Sequence, residues 1–498
     1  MHTSTHSRSE RRAAGVLLHP TSLPGRYGIG DLGDELTLFL DWAASAGMRL
    51  WQVLPLNPPG YGHSPYNCLS SFAGNPLLIS PQRLLQENLL EPEDVADVPI
   101  FSDEHVQFER VPEFKFALLR VAWQRFTDHD ALDAFVAASE QREWLDDYAL
   151  FMTLKELAGG APWWQWERKL LRRDPAALRR AREEHADDVR FWQFTQWLFF
   201  RQWEAVRAAA HARGLRIVGD VPIYVAWDSA DVWAHRSLFE LDEKGHPTVV
   251  AGVPPDYFST TGQRWGNPLY RWDAMRESGY RWWIARMKTN LRFADIVRLD
   301  HFRGFVAYWE IPASEPTAVH GRWMPGPGIE LFDAIRNALG ELPLVAEDLG
   351  FITQDVHDLR DAAGLPGMRV LQFGFGQDDS PHLPHRYAER TVAYTGTHDN
   401  DTARGWFTSA GAEEREAART YLGCDGDSVA GCLIRAAYTS VAETSIVPVQ
   451  DILDLGSDAR MNRPGAEKDN WSWRMLPGAL TREHAERLKR LAELTGRV

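Results

Sequence analysis

The chain has 498 residues, 44% of them apolar and 25% charged, with a formal net charge of −15 at pH 7. This length allows one large enzyme domain or two to three ordinary ones, and the composition is that of a globular protein whose core needs no staples. The acidic balance and the lack of a Lys/Arg run exclude a nucleic-acid surface and argue against phosphate-rich partners. The most basic cluster, "RKLLRRD" at 168–174, reads as a solvated helix face. Cys68, Cys424 and Cys432 are too few and too widely spaced for a disulfide framework or a zinc site, so a reducing, cytoplasmic setting is expected. No apolar run reaches transmembrane length, and no membrane partner is expected. The polar start "MHTSTHSRSERRA" lacks the apolar core of a signal peptide, and residues 1–14 read as a disordered tail.

Eight apolar runs, most of them ending in polar residues, read as strands. In chain order they are 15–20 ("GVLLHP"), 50–56 ("LWQVLPL"), 215–225 ("LRIVGDVPIYV") and 293–302 ("FADIVRLDHF"). Then come 342–350 ("LPLVAEDLG"), 367–375 ("GMRVLQFGF"), 391–400 ("TVAYTGTHDN") and 444–453 ("TSIVPVQDIL"). Continuous rather than alternating apolar runs suit parallel strands covered on both faces. Helical patterns lie between them. Leu36, Phe39, Leu40 and Ala43 recur at helical spacing before a stop at Gly47. A long helix over 191–214 precedes the third strand, and shorter ones over 280–291 and 331–340 precede the fourth and fifth.

Eight strands alternating with helices predict a (β/α)8 TIM barrel, here a single catalytic domain over 15–498. A doubly wound open sheet is the alternative, but "GRYGIGDLG" lacks the spacing of a dinucleotide fingerprint. The gap between the second and third strands is too long for a loop. Its amphipathic stretches, such as Leu118, Ala122 and Phe126 on one stripe, predict a mostly helical insertion over 77–188 at the barrel mouth. A second excursion, 226–276, is rich in Gly, Pro and Trp and predicts a long substrate loop. The 21 tryptophans fit core packing, or sugar binding through the apolar faces of pyranose rings.

Active sites of such barrels form at the C-terminal ends of the strands. Asp220, then Arg298, Asp300 and His301, then Glu347 and Asp348, then His398, Asp399 and Asn400, then Gln450 and Asp451 all follow apolar runs. Each carboxylate is therefore expected at one rim. One such aspartate alone is commonly a helix cap or a loop ion pair. Several together are costly unless a metal or a reaction uses them. Asp220, Asp300, Glu347, His301 and His398 could ligate metal, but Arg298 on the same face opposes a cation. Glycosidic chemistry needs a pair of carboxyls about 5–5.5 Å apart in retaining enzymes. Adjacent strands supply that pair as Asp300 and Glu347, with Arg298 favouring the charged form of Asp300. Anionic Asp300 and Asp399 are expected to raise the Glu347 pKa.

Several motifs now resemble one family over essentially the whole chain. They are "GVLLHPTSLPGRYGIGDLG", "WQVLPLNPPGYGHSPYNCLSSFAGNP", "GDVPIYVAWDSADVW", "PPDYFSTTGQRWGNPLY", "VRLDHFRGF", "VAEDLG", "YTGTHDNDT" and "RMNRPG…NWSWR". Their order is that of the amylomaltases, the 4-α-glucanotransferases of glycoside hydrolase family 77 in the α-amylase superfamily. The resemblance implies Asp300 as nucleophile, Arg298 as its orienting cation and Glu347 as general acid/base. It implies Asp399 as a third carboxylate that binds sugar hydroxyls, with His398 on the same ring. Asp220 takes a more structural part and Tyr66, in "SPY" with Ser64, an aromatic platform on the donor side. Asp256 and Trp265 belong to a loop over the cleft, and His301 follows the nucleophile as a further substrate contact. The implied partners are α-1,4-glucans, with glucose as an acceptor, and no cofactor or metal. At His63 the chain departs from the family, which usually carries aspartate there. An α-glucan hydrolase and a non-catalytic glucan-binding protein are the competing readings.

Overall fold

A computed structural model describes residues 12–255, 259–376, 379–424, 428–466 and 468–498. Twelve strands occur in it: β1 (Ala13–Leu17), β2 (Leu50–Gln52), β3 (Arg216–Val221), β4 (Val249–Val253), β5 (Gln263–Pro268) and β6 (Ile296–Leu299), followed by β7 (Ala307–Pro312), β8 (Arg322–Pro325), β9 (Leu344–Ala346), β10 (Gly367–Val370), β11 (Thr391–Tyr394) and β12 (Thr444–Pro448). Eight of them form one sheet in the order β10-β11-β12-β1-β2-β3-β6-β9. Every pairing in that sheet is parallel. The Ala346 N–H donates to Pro366 O (2.9 Å) across the remaining seam between β9 and β10, drawing the sheet into a barrel.

All eight predicted strands are these eight, but most are shorter than their apolar runs. Each chain segment leaves extended geometry as it reaches the polar rim. The first strand departs from the reading in the other direction. It begins at Ala13, so residues 13–14, assigned to the tail, are strand residues paired with Thr444 and Ser445 of β12. Buried Arg497 closes this edge by donating to several carbonyls, among them Ala13 O and Ala442 O.

The tryptophans serve mainly the core. Trp51, Trp163, Trp203, Trp233 and Trp283 are fully buried. Trp51 donates its indole N–H to Leu18 O at 2.8 Å, and Trp203 to Phe293 O at 3.1 Å. These two rings bring large apolar area into the interior while their one polar atom stays satisfied. Residues 77–188 hold five helices of six or more residues: Pro81–Gln86, Val111–Arg125, His129–Ala137, Leu145–Leu157 and Pro175–Glu184. They lead into the helix Ala186–Ala212, which ends at Gly214 (φ 75°) just before β3. A left-handed residue there stops the helix, and glycine adopts it without steric cost.

The excursions after β3 and β6 contain what the sequence patterns did not predict. They form a second, antiparallel sheet in the order β5-β4-β7-β8. Its strands are short and lack clean alternation, so only their mutual pairing defines them. Trp265 sits on β5, Trp309 on β7 and Trp323 on β8.

Candidate active site

The register of the barrel builds the centre of the site. Asp220 of β3 and Arg298 of β6 are direct partners across neighbouring parallel strands. Their side chains meet inside the barrel, where Arg298 Nη1 donates to Asp220 Oδ1 at 2.8 Å and Oδ2 at 2.7 Å. The same nitrogen lies 3.0 Å from Asp300 Oδ1. One buried guanidinium thus bridges a wholly enclosed carboxylate and one whose side chain keeps 28% of its exposure. Arg298 occupies the space a metal shared by Asp220 and Asp300 would need. Among the described residues, no group of three or more His, Cys, Asp or Glu is arranged to hold a metal ion.

Beyond Asp300 the chain turns sharply. His301 adopts a left-handed conformation (φ 51°, ψ 52°) ahead of the short turn Phe302–Phe305. Such geometry costs a non-glycine residue about 1–2 kcal/mol and persists where surrounding contacts hold it. Here the turned His301 N–H donates to Glu347 Oε2 (2.8 Å), and the Phe302 N–H to Glu347 O (3.1 Å). The Leu349 N–H donates to Glu347 Oε1 at 3.1 Å. The loop that follows Asp300 therefore clamps Glu347 beside it.

Burial pushes the Glu347 carboxyl well above the ordinary glutamate range; Arg298 opposes this, and Asp300 and Asp348 reinforce it. The expectation that Asp300 and Asp399 would raise it is corrected on two points. Desolvation comes first, and Asp348 is the second carboxylate involved. Burial also pushes Asp220 up to about 6, against the pull of Arg298 and the Tyr66 hydroxyl.

Across the cleft, Asn462 Nδ2 donates to Asp399 Oδ1 at 2.6 Å, and His398 Nε2 lies 3.3 Å from Asp399 Oδ2. Burial works to raise the Asp399 carboxyl, but His398 and Asn462 outweigh it and hold the group far below the aspartate range. Burial likewise opposes the charged form of His398, yet Asp399 turns the balance and raises that imidazole. The Tyr66 hydroxyl donates to Asp220 Oδ2 at 2.9 Å. Its ring stacks on His398 (centroids 4.9 Å apart, planes 16°) and leans on Trp471 at 5.6 Å. Ser64 Oγ accepts from the Tyr66 N–H (3.2 Å) and so shapes that turn.

Trp265 is 38% exposed and meets His301 edge-on at 4.8 Å. Burial lowers the His301 imidazole to about 4, so it is neutral near pH 7. Asp256 lies outside the described residues. Two of the rim carboxylates face elsewhere. Asp348 accepts from Arg360 Nη1 (2.7 Å) and the Met368 N–H (2.8 Å), and Asp451 from Thr395 Oγ1 (2.5 Å) and the Ala403 N–H (2.7 Å). The strand-end rule placed them at the rim, but tertiary partners turn them into structural anchors. His63 stacks face to face on Phe108 of the helical insertion, 4.4 Å apart.

Asn462, Arg460 and Trp471 were not singled out from the sequence. They come from the segment "RMNRPG…NWSWR" after the last strand. No periodicity ties that segment to β11, and only folding brings Arg460 Nη2 within 2.5 Å of Asp399 O.

A family profile described as 4-alpha-glucanotransferase matches residues 18–480. A 4-alpha-glucanotransferase of Thermus thermophilus is 52% identical over 98% of this chain and 99% of its own length. The chloroplastic/amyloplastic 4-alpha-glucanotransferase of Solanum tuberosum is 45% identical over 94% of this chain and 83% of its own. Among solved structures, an amylomaltase from Streptococcus agalactiae in complex with acarbose superposes with a TM-score of 0.94. It is 37% identical and covers 98% of this chain and 99% of that one. With its parallel barrel and rim of carboxyls, the chain belongs to the 4-alpha-glucanotransferases of glycoside hydrolase family 77.

Proposed function

We propose that Asp300 is the nucleophile and Glu347 the general acid/base of a retaining 4-α-glucan transfer, with Asp399 holding the donor sugar. A carboxylate oxygen of Asp300 attacks C1 of an α-1,4-linked glucosyl unit. The bond from C1 to the neighbouring O4 breaks, its electron pair leaves with that oxygen, and Glu347 supplies the proton. The result is a β-glucosyl ester on Asp300. The 4-hydroxyl of an acceptor, either a glucan or glucose, then attacks C1 while Glu347 takes its proton, and the ester bond to Asp300 breaks. Two inversions leave the α configuration unchanged. No cofactor enters either step.

The observation that carries this reading is the contrast between two neighbouring carboxyls. Asp300 lies 3.0 Å from a buried guanidinium. Burial raises the Glu347 carboxyl well above the ordinary glutamate range, the direction a proton donor needs. Asp399, kept anionic, suits acceptance of sugar hydroxyls, and His398 lies beside it. The Tyr66 face, backed by His398 and Trp471, offers the flat apolar surface that a pyranose ring covers. Trp265 and His301, packed edge to face, offer a further aromatic contact to the glucan, with Asp256 as an additional substrate contact. Asp220 and Ser64 support this arrangement by holding Arg298 and Tyr66. Residues 13–498 act as one catalytic unit, working on α-1,4-glucans in the cytoplasm.

Incubation with maltotriose alone tests the activity. Transfer produces glucose together with a ladder of longer maltodextrins, whereas hydrolysis produces only glucose and maltose. The Asp300→Asn variant should keep the wild-type urea midpoint and lose transfer by several orders of magnitude. A fully active variant would remove Asp300 from the role of nucleophile.

A further inference from the structure

The chain that follows Asp300 and Glu347 carries an aromatic cluster gathered around one buried cation. Arg303 lies in the turn Phe302–Phe305, three residues past Asp300. Its guanidinium carbon sits 4.2 Å from the ring centre of Trp323 and 5.3 Å from that of Phe351. Phe351 follows Glu347 by four residues, just after Gly350 turns the chain with φ 83°. Arg303 is buried and donates Nη1 to Thr353 Oγ1 at 2.8 Å. Its Nε is enclosed with no hydrogen-bond partner. Trp323 is braced by Trp309, with centroids 5.3 Å apart and planes at 69°. The cation is buried and the brace half-buried, yet the rings stay out: Trp323 is 36% exposed and Phe351 66%. A cluster built for stability would bury such area. This one instead leaves two large apolar faces open to solvent on segments that follow Asp300 and Glu347.

We propose that Trp323 and Phe351, held by Arg303, form a platform for the outer glucosyl units of the acceptor glucan. The inference rests on the proposed roles of Asp300 and Glu347. In that scheme Glu347 handles the oxygen that leaves and the hydroxyl that enters, so the chain beyond Glu347 is the acceptor side. The Tyr66, His398 and Trp471 stack instead gathers around Asp399, at the ends of other strands. The exits of β6 and β9, adjacent strands, carry Arg303 and Phe351 on the Glu347 side. The fit is to a neutral sugar chain, whose C–H faces pack on aromatic rings while its hydroxyls stay in water. A single glucose bound at the reacting position does not reach past Glu347 to these rings; a longer acceptor does.

The test uses Phe351→Ala, Trp323→Ala and the double variant of the full chain. The donor is a maltoheptaose blocked at its non-reducing end, so that it cannot itself accept. Initial rates are taken with glucose and with maltotetraose as acceptors. Wild type should prefer maltotetraose, and that preference, as a ratio of kcat/KM values, should fall about tenfold in the double variant. The loss should sit in the acceptor KM rather than in kcat. Phe351→Leu, which keeps apolar bulk without a flat face, should behave like Phe351→Ala. Equal losses with both acceptors, or an unchanged ratio, would overturn the proposal. A second arm needs no turnover: calorimetric binding of maltotetraose to Asp300→Asn with and without Phe351→Ala. Weaker binding in the double variant supports the platform even if Asp300 proves not to be the nucleophile, and equal binding overturns it.

Discussion

Replacing Tyr66 by Phe removes one hydroxyl and nothing else from the stack with His398 and Trp471. The ring keeps its place 4.9 Å from His398 and 5.6 Å from Trp471. What disappears is a 2.9 Å hydrogen bond to a carboxylate with no exposed side-chain surface. Bonds of this kind to a charged partner contribute about 1.5–3 kcal/mol. Asp220 retains Arg298 Nη1 at 2.7 Å, so about 2 kcal/mol is expected from the middle of that range. The cost depends on pH. The Asp220 carboxyl sits at about 6 in the fold against an ordinary 3.8. The stability tied to it is therefore complete below its ordinary value and is lost as pH rises through about 6. The Tyr66 hydroxyl is one of the contacts that pulls the Asp220 pKa down, so its removal pushes the carboxyl higher and deepens the loss on the alkaline side. Urea unfolding should show a penalty of about 2 kcal/mol near pH 8, shrinking to about 1 kcal/mol near pH 5, where Asp220 is largely protonated and accepts only a neutral bond. If the penalty reaches the transition state in full, kcat/KM falls by roughly thirtyfold. Tyr66→Ala should cost more, because it also removes the flat face. A Tyr66→Phe penalty that is the same at both pH values would refute the argument, because it would mean that Asp220 does not change charge in this window.

Glu347→Gln should abolish transfer, and its urea midpoint relative to wild type should climb as pH rises from about 5 to about 8. The raised carboxyl of Glu347 favours the protonated fold, so its stability contribution is full below the ordinary glutamate value and is lost as pH rises through the higher folded value. Glutamine never ionises and escapes that loss, while its Nε2 forgoes one of the two backbone N–H bonds at every pH; a difference from wild type that does not change with pH contradicts this. Gly74→Ala tests the seat of the β2 exit loop. A Cβ there would lie 2.0 Å from Phe199 Cδ1. Gln196 pins the same peptide from both sides, accepting from Gly74 N–H (2.8 Å) and donating to Gly74 O (3.0 Å). Neither partner can yield, so unfolding measurements should show a loss of about 1–3 kcal/mol. An unchanged midpoint would mean that the helix Ala186–Ala212 is free to shift.

The barrel was legible because its signal is local and repeated. Eight apolar runs, separated by helical periodicity, are what a two-sided parallel sheet demands of a chain. The antiparallel sheet β5-β4-β7-β8 was not, because Gln263–Pro268 and Arg322–Pro325 carry no pattern that separates them from loop. The same division runs through the site. Arg298 on β6 and Asp300 just past its end stand two residues apart, as alternation requires, and Asp220 meets Arg298 by register. Asp348 and Asp451 obey the same strand-end rule yet face Arg360 and Thr395. A side chain's final direction depends on partners from other elements.

By itself, the amino-acid sequence determined the (β/α)8 class, the motifs of the family and which strands end in carboxyls, since each of these follows from residue type and spacing along one stretch of chain. Only the tertiary structure decided which carboxyls share an environment. Asn462 reaches Asp399 across 63 residues, the loop after Asp300 clamps Glu347, and Arg303 comes to rest between Trp323 and Phe351. Burial and charge at each atom are sums over neighbours distant in sequence, and those sums exist only once the barrel has formed.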